Sequence, residues 1–185
     1  MEYFIFVETK DMDTSLIPRY TYADYEQWKE DWELIKGYPY QMLPSARWQH
    51  NNVQVNLVFQ AKNNIYHNNC NCLIFSELDW KISNETVVRP DVMIVCGKIE
   101  TDYLEFPPIL IVEILSPTSL VKDRNIKFEL YRENGVKYYI MADYTKETVE
   151  VFELIDNQYR SVDKNTFILN NDCSIKFDFA EIFKK

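Results

Sequence analysis

Two carboxylates and a lysine are the residues of this chain best placed to do chemistry. Glu113 stands in the middle of "ILIVEILSP", residues 109–117, where isoleucine, leucine and valine on both sides mark a strand covered on both faces. An ionised side chain there costs several kcal/mol unless a partner offsets it. Asp91 follows Pro90 at the front of "VMIV", another strand-like run. If the two strands are neighbours their carboxylates meet, and such a pair in an apolar sheet is stable mainly when a hard divalent cation joins them. Lys127, on the helix expected next, can reach the same pocket. Asp91 and Glu113 around Mg²⁺ or Mn²⁺, with Lys127 beside them, are equipment for phosphodiester hydrolysis. The cation would take a phosphate oxygen and acidify a water, while the lysine orients that water or neutralises charge developing at phosphorus. Alone, Pro90-Asp91 reads as a turn and Lys127 as a solvated residue. Glu113 changes that reading, because glutamate is almost never fully buried unpaired.

These residues need a frame. Thr21 with Asp24 forms a capping-box start, and Tyr22, Tyr25, Trp28 and Trp32 recur at helical spacing, so "TYADYEQWKED" is expected to be an amphipathic helix with its aromatics in the core. "WELIKGYPYQM" reads as two strands folding back at Lys36 and Gly37, with Pro39 placing the second at an edge. Ser45 is a candidate N-cap for a second helix carrying Val53, Leu57 and Ala61. "CLIFSELDWKI" and "TVVRPDVMIVC" read as one strand each, joined at Ser83-Asn84. The buried strand 109–115 follows, then a helix from Lys122 to Asn134 closed by Gly135, then short strands "VKYYIMAD", "TVEVFEL", "QYRSV" and "TFIL". This order predicts an α/β (α+β) fold, a mixed β-sheet flanked by helices, within a single domain spanning 1–185.

Composition narrows the functions. The 185 residues are 46% hydrophobic and 26% charged, ordinary for a globular protein, and carry a formal net charge of -9. That charge repels nucleic acid, so any DNA partner needs a metal or a local basic strip, sought at Lys122, Arg124, Lys127 and Arg132. Only three glycines occur, which excludes glycine-rich phosphate loops. The N-terminal "MEYFIFVETKDMD" lacks a basic n-region, and no apolar run is long enough to span a bilayer, so a cytoplasmic protein without membrane association is expected. Cys70, Cys72, Cys96 and Cys173 are accordingly expected to be free thiols.

"VVRPDVMIVC", "PPILIVEILSPTSLVKDRNIKFELYRENGVKYYIMAD" and "TVEVFEL", with "WELIKGYPYQMLPS" and "HNNVQVNL" upstream, resemble the Uma-two family of restriction-endonuclease-like proteins, a branch of the PD-(D/E)XK nuclease superfamily. The resemblance runs from about Thr21 to about Val162. It implies a restriction-endonuclease-like core, DNA as substrate, and Asp91 and Glu113 as metal ligands. The superfamily's usual lysine, two residues after the glutamate, is Leu115 here, and the family's displaced lysine matches Lys127, with Lys122 and Arg124 as rivals or substrate contacts. Glu33 matches a further acidic position and joins the expected catalytic group, while His50 matches a histidine placed to contact substrate or position water.

Two other readings compete. A non-catalytic interaction domain that keeps the nuclease fold would suit the acidic surface, though it would not need Asp91, Glu113 and a lysine together. A zinc module built on His67, Cys70, Cys72 and Cys96 has irregular ligand spacing and lacks a second regular pair. A homodimer is compatible with every reading.

Overall fold

A computed structural model describes residues 17–42, 47–116, 120, 122–171 and 173–185. At its centre lie β6 (Val92–Val95), β7 (Leu110–Leu115) and β8 (Tyr138–Asp143), all buried along their full lengths. They belong to a six-stranded sheet in the order β10-β9-β8-β7-β6-β3, with β3 Leu73–Phe75, β9 Thr148–Ile155 and β10 Gln158–Ser161. Only β7 and β8 run parallel, and the other pairs are antiparallel. The parallel pair is joined through a crossover that holds a π-helical segment, Lys122–Lys127, leading into α3, Phe128–Glu133. The sheet is therefore mixed and flanked by helices, as the order of elements implies.

Alternation along β7 divides the core. Leu110, Val112 and Ile114 face a long helix, α2 (Trp48–His67), and meet its Val53, Leu57, Ala61 and Ile65. Ile111 and Leu115 face the other way, toward Leu130 and Tyr131 of α3 and toward Ile35, Trp80 and Val88. The last three come from a second, four-stranded sheet ordered β2-β1-β5-β4, with β1 Trp32–Ile35, β2 Tyr38–Gln41, β4 Trp80–Ser83 and β5 Thr86–Val88. Glu113 shares the face of Ile111 and Leu115, so its carboxyl enters the layer between the central sheet, α3 and this smaller sheet.

Several sequence expectations need correction. The aromatic helix shrinks to one turn, α1 (Tyr22–Tyr25), with no buried residue, and its aromatics pack against one another, Trp28 lying edge-on to Tyr20, Tyr25 and Trp32. Each long strand-like run is two strands in different sheets. The second breaks at Arg89-Pro90-Asp91, where proline has no N–H for a ladder, and the first breaks between Phe75 and Trp80. The candidate cap Ser45 lies outside the described residues. A further hairpin, β11 (Thr166–Asn170) with β12 (Cys173–Lys176), packs on α2, and β12 did not stand out in the sequence. Among the described residues no helix is long and apolar enough to cross a membrane.

The cysteines are paired. Cys72 and Cys96 extend the β3–β6 register by one step beyond Leu73 and Val95, which brings them together as a disulfide, and Cys70 after α2 joins Cys173 of β12. The free-thiol expectation fails because a sequence shows spacing but not cross-strand register. The second disulfide closes a separation of 103 residues. A loop near that size constrains the unfolded chain by about 4.7 kcal/mol in the chain-entropy treatment, and loss of a native bridge commonly costs about 2–5 kcal/mol. Urea unfolding of Cys70→Ser/Cys173→Ser is expected to show a loss in that range. An unchanged midpoint would mean that the bridge is absent from the folded protein.

Candidate active site

The antiparallel β6–β7 register pairs Val92 with Val112, and one step further sets Asp91 opposite Glu113. Pro90 ends the smaller sheet's strand and releases the chain into β6, so Asp91 arrives at the carboxyl end of β7. Its Oδ2 accepts the Ile114 N–H at 2.6 Å, which ties the side chain to the ladder. The two strands are neighbours, and the two residues stand opposite each other across them.

Within the protein, Glu113 finds its partner on the crossover helix. Its Oε1 accepts hydrogen bonds from Lys127 Nζ at 2.8 Å and from the Tyr131 hydroxyl at 2.6 Å. Lys127, 3% exposed, also reaches Glu33 Oε1 at 2.8 Å, and Asp123 Oδ1 lies 3.8 Å away. Glu33 comes from β1 of the smaller sheet and is completely buried. It accepts the Arg89 N–H at 3.0 Å through Oε1, and the ammonium of Lys122 through Oε2. Lys122 and Lys127 are five residues apart, a spacing that an α-helix would splay across its surface. The π-helical turn brings both to one carboxylate, in keeping with the tendency of such turns to occur at functional sites.

Among the described residues, the carboxyl groups of Glu33, Asp91, Glu113 and Asp123 lie around the ammonium groups of Lys122 and Lys127, with the His50 imidazole beside Asp91. Burial pushes Glu113 up to about 8, Lys127 works against that rise, and Asp123, Asp91 and Glu33 add to it. Glu33 goes the other way: burial would raise it, but Lys127 and Lys122 outweigh burial and hold it below the usual carboxylate range. Burial disfavours charge on Lys127 too, yet Glu113, Glu33 and Asp123 keep it protonated. Glu113 is the site's electrostatic weak point. Burial and the neighbouring carboxyl groups disfavour its ionised form, and a positive charge beside it would favour that form.

The remaining expected residues fall into two groups. His50, in the first turn of α2, places Nε2 3.3 Å from Asp91 Oδ2. Burial opposes its protonation, but Asp91, Glu77 and Asp123 prevail and raise its pKa. Gln54, one turn on, donates to the Asp91 carbonyl at 3.0 Å. Lys122 is committed to Glu33, Arg124 to Glu150, and Arg132 to Glu129, so the expected basic strip is largely ion-paired. Asp123, Tyr131 and Gln54 did not stand out as site residues. Asp123 and Tyr131 each stand four residues from Lys127, and that helical spacing was the available signal.

Among the described residues no three His, Cys, Asp or Glu side chains form a ready-made metal cage. Mg²⁺ does not require one, since it keeps several waters and is commonly held by one or two carboxylates plus substrate phosphate. Asp91 and Glu113 are hard oxygen donors of that kind in a pocket short of positive charge, so the donor set fits Mg²⁺ or Mn²⁺.

A family model described as "Uma2: Putative restriction endonuclease" matches residues 22–171. The chain belongs to the Uma2 family. An uncharacterized protein of Synechocystis sp., slr1290, is 26% identical over 174 residues, covering 89% of this chain and 87% of its own length. The crystal structure of a DUF820 protein from Anabaena variabilis, described as a putative nuclease, superposes with a TM-score of 0.71 over 89% of this chain and 99% of that one, at 16% identity. That likeness concerns the fold, and it covers nearly the whole of both chains.

Proposed function

We propose that this Uma2 protein is a divalent-metal-dependent endonuclease that hydrolyses DNA phosphodiester bonds. The observation that carries the reading is the buried chain Glu33–Lys127–Glu113 beside Asp91, in which burial and the Asp123, Asp91 and Glu33 carboxyl groups together raise Glu113. A bound Mg²⁺ or Mn²⁺ supplies charge neutralisation at the scissile phosphate and an acidified water. Asp91 and Glu113 would hold it. Asp91 is steadied by the Ile114 N–H and by His50, and Glu113 by the Tyr131 hydroxyl. Glu33 fixes the Lys127 ammonium in one place, so that it donates to the incoming water or a phosphate oxygen without reorganising. Lys122, through Glu33, sets the position of Lys127 from the other side.

DNA as substrate rests on the family description and on the chemistry of the site. A net charge of -9 and an ion-paired strip give no long-range attraction, so DNA affinity depends on the filled site. The same paired strip favours the second reading, a non-catalytic interaction domain. Supercoiled plasmid incubated with Mg²⁺, Mn²⁺ or EDTA separates the two. Wild type is expected to nick DNA with either metal and not with EDTA, and Asp91→Asn to lose at least about a thousandfold in rate, equivalent to roughly 4 kcal/mol. No cleavage under any metal condition would favour the interaction domain, and cleavage untouched by Asp91→Asn would move the active site elsewhere.

A further inference from the structure

α2 has two faces that the nuclease reading does not use. One carries amides at four-residue intervals: Asn52, Asn56, Gln60, Asn64 and Asn68 each donate a side-chain N–H to a backbone carbonyl of the C-terminal segment between Ser174 and Lys184. That ladder straps the chain's end along the helix. The other face is apolar and exposed. Trp48, Val55, Phe59 and Tyr66 are 57%, 59%, 69% and 77% exposed, and they lie along one side of a single rigid element. At one end the Lys185 ammonium stands over the Trp48 ring at 5.1 Å, and the rest of the row is open.

We infer that this stripe is the self-association surface of the protein, joining α2 to α2 of a second copy in antiparallel orientation. The stripe is symmetric about Leu57. In an antiparallel pair centred there, Trp48 meets Tyr66 of the other copy and Val55 meets Phe59, and the reciprocal contacts repeat across the axis, as a twofold interface demands. The layers come out as aromatic ends around an aliphatic and aromatic centre. Charge permits the approach as well. Between Arg47 and Asn68 there is no aspartate or glutamate, in a chain that has 29 of them, so the repulsion that keeps copies apart elsewhere is missing here.

With aromatic side chains contributing on the order of 200 Å² each, the exposed parts of these four residues amount to about 500 Å² per copy. Fully covered, the pair would bury about 1,000 Å², and the flanking Arg47, Asn51 and Lys62 bring the total toward the roughly 1,200 Å² at which stable specific interfaces begin. Val55 and Phe59 at the centre favour a protein partner over nucleic acid, which would call for a basic centre. The proposal does not depend on the nuclease reading.

Sedimentation equilibrium tests the association and cysteine pairing tests the register. Wild type is expected at twice the 22.2 kDa chain mass, and Phe59→Glu, a change at an exposed position, at the monomer mass with the thermal midpoint little altered at high dilution. An equimolar mixture of Trp48→Cys and Tyr66→Cys chains, carried through dissociation and reassociation, should cross-link with a short bifunctional maleimide. Either chain alone should not, because its two introduced thiols would lie about 27 Å apart. A monomeric wild type overturns the proposal. If Phe59→Glu then lowers stability, the stripe is covered from within the chain, and if it lowers DNA affinity, the stripe is a nucleic-acid surface. Cross-linking of Trp48→Cys alone overturns the antiparallel register.

Discussion

Lys127→Met is expected to destabilise the protein by about 3–5 kcal/mol at pH 8, the range for breaking a buried ion pair from one side. The reason is local. Lys127 Nζ lies 2.8 Å from both Glu33 and Glu113, and its removal leaves Glu113 without its ammonium and Glu33 with Lys122 alone, both buried. The loss should shrink on acidification, since the orphaned carboxyls can then take protons. Lys127→Arg is not expected to rescue it, because a planar guanidinium does not fit a pocket closed around a compact ammonium. Adding Glu113→Gln to Lys127→Met should restore part of the stability, and a full cycle of the two single variants and the double variant by urea unfolding would measure the coupling. Simple additivity would mean that the two side chains do not interact in solution.

Addition of Mg²⁺ or Mn²⁺ at a hundred times its Kd is expected to stabilise wild type by about 2.7 kcal/mol. That corresponds to roughly 5–10 °C in Tm for a chain of this size. Asp91→Asn and Glu113→Gln should each lose most of the shift. The effect should also depend on pH with a definite sign. Glu113 rises on folding from 4.5 to about 8, so the metal-free folded state binds the extra proton and its stability falls as pH climbs through that window. Glu33 is depressed on folding, so its contribution is present above its ordinary value of 4.5 and disappears only on acidification below it. Between pH 5 and 8 the Glu113 slope therefore stands alone among these two groups. Glu113→Gln should flatten it, and the metal shift should be larger at pH 8 than at pH 6, because proton and cation compete for one carboxyl.

Much of the site could be read from the chain because it is written in burial contradictions. A glutamate in "ILIVEILSP" demands a partner whatever the fold, and Asp91 in the adjacent run was the natural neighbour. The nearer partner proved to be Lys127, which also answers to Glu33, a residue 80 positions before Glu113 and in a different sheet. Nothing local to "WELIKG" announces that its glutamate is completely buried, so that position came from family resemblance alone. The π-helical turn was equally hidden, since its residues have ordinary helical propensities and the widening accompanies a tertiary pairing of both lysines with Glu33. Strand boundaries failed where one apolar run serves two sheets, at Arg89-Pro90-Asp91. The proline was visible, but a proline marks a break without telling where the chain goes next. Cysteine pairing failed for a related reason: Cys72 and Cys96 meet through register, a long-range property.

The central claim is that Glu113 and Asp91 form a site which a proton and a divalent cation share. Titration calorimetry with Mn²⁺ at pH 7, repeated in buffers of different ionisation enthalpy, measures the protons released per ion bound. The expected result is one ion per chain with release of close to one proton, a release that fades above pH 9 and is absent, together with most of the affinity, in Glu113→Gln. Binding without proton release at pH 7, or binding of equal strength in wild type and Glu113→Gln, would contradict the assignment of Glu113.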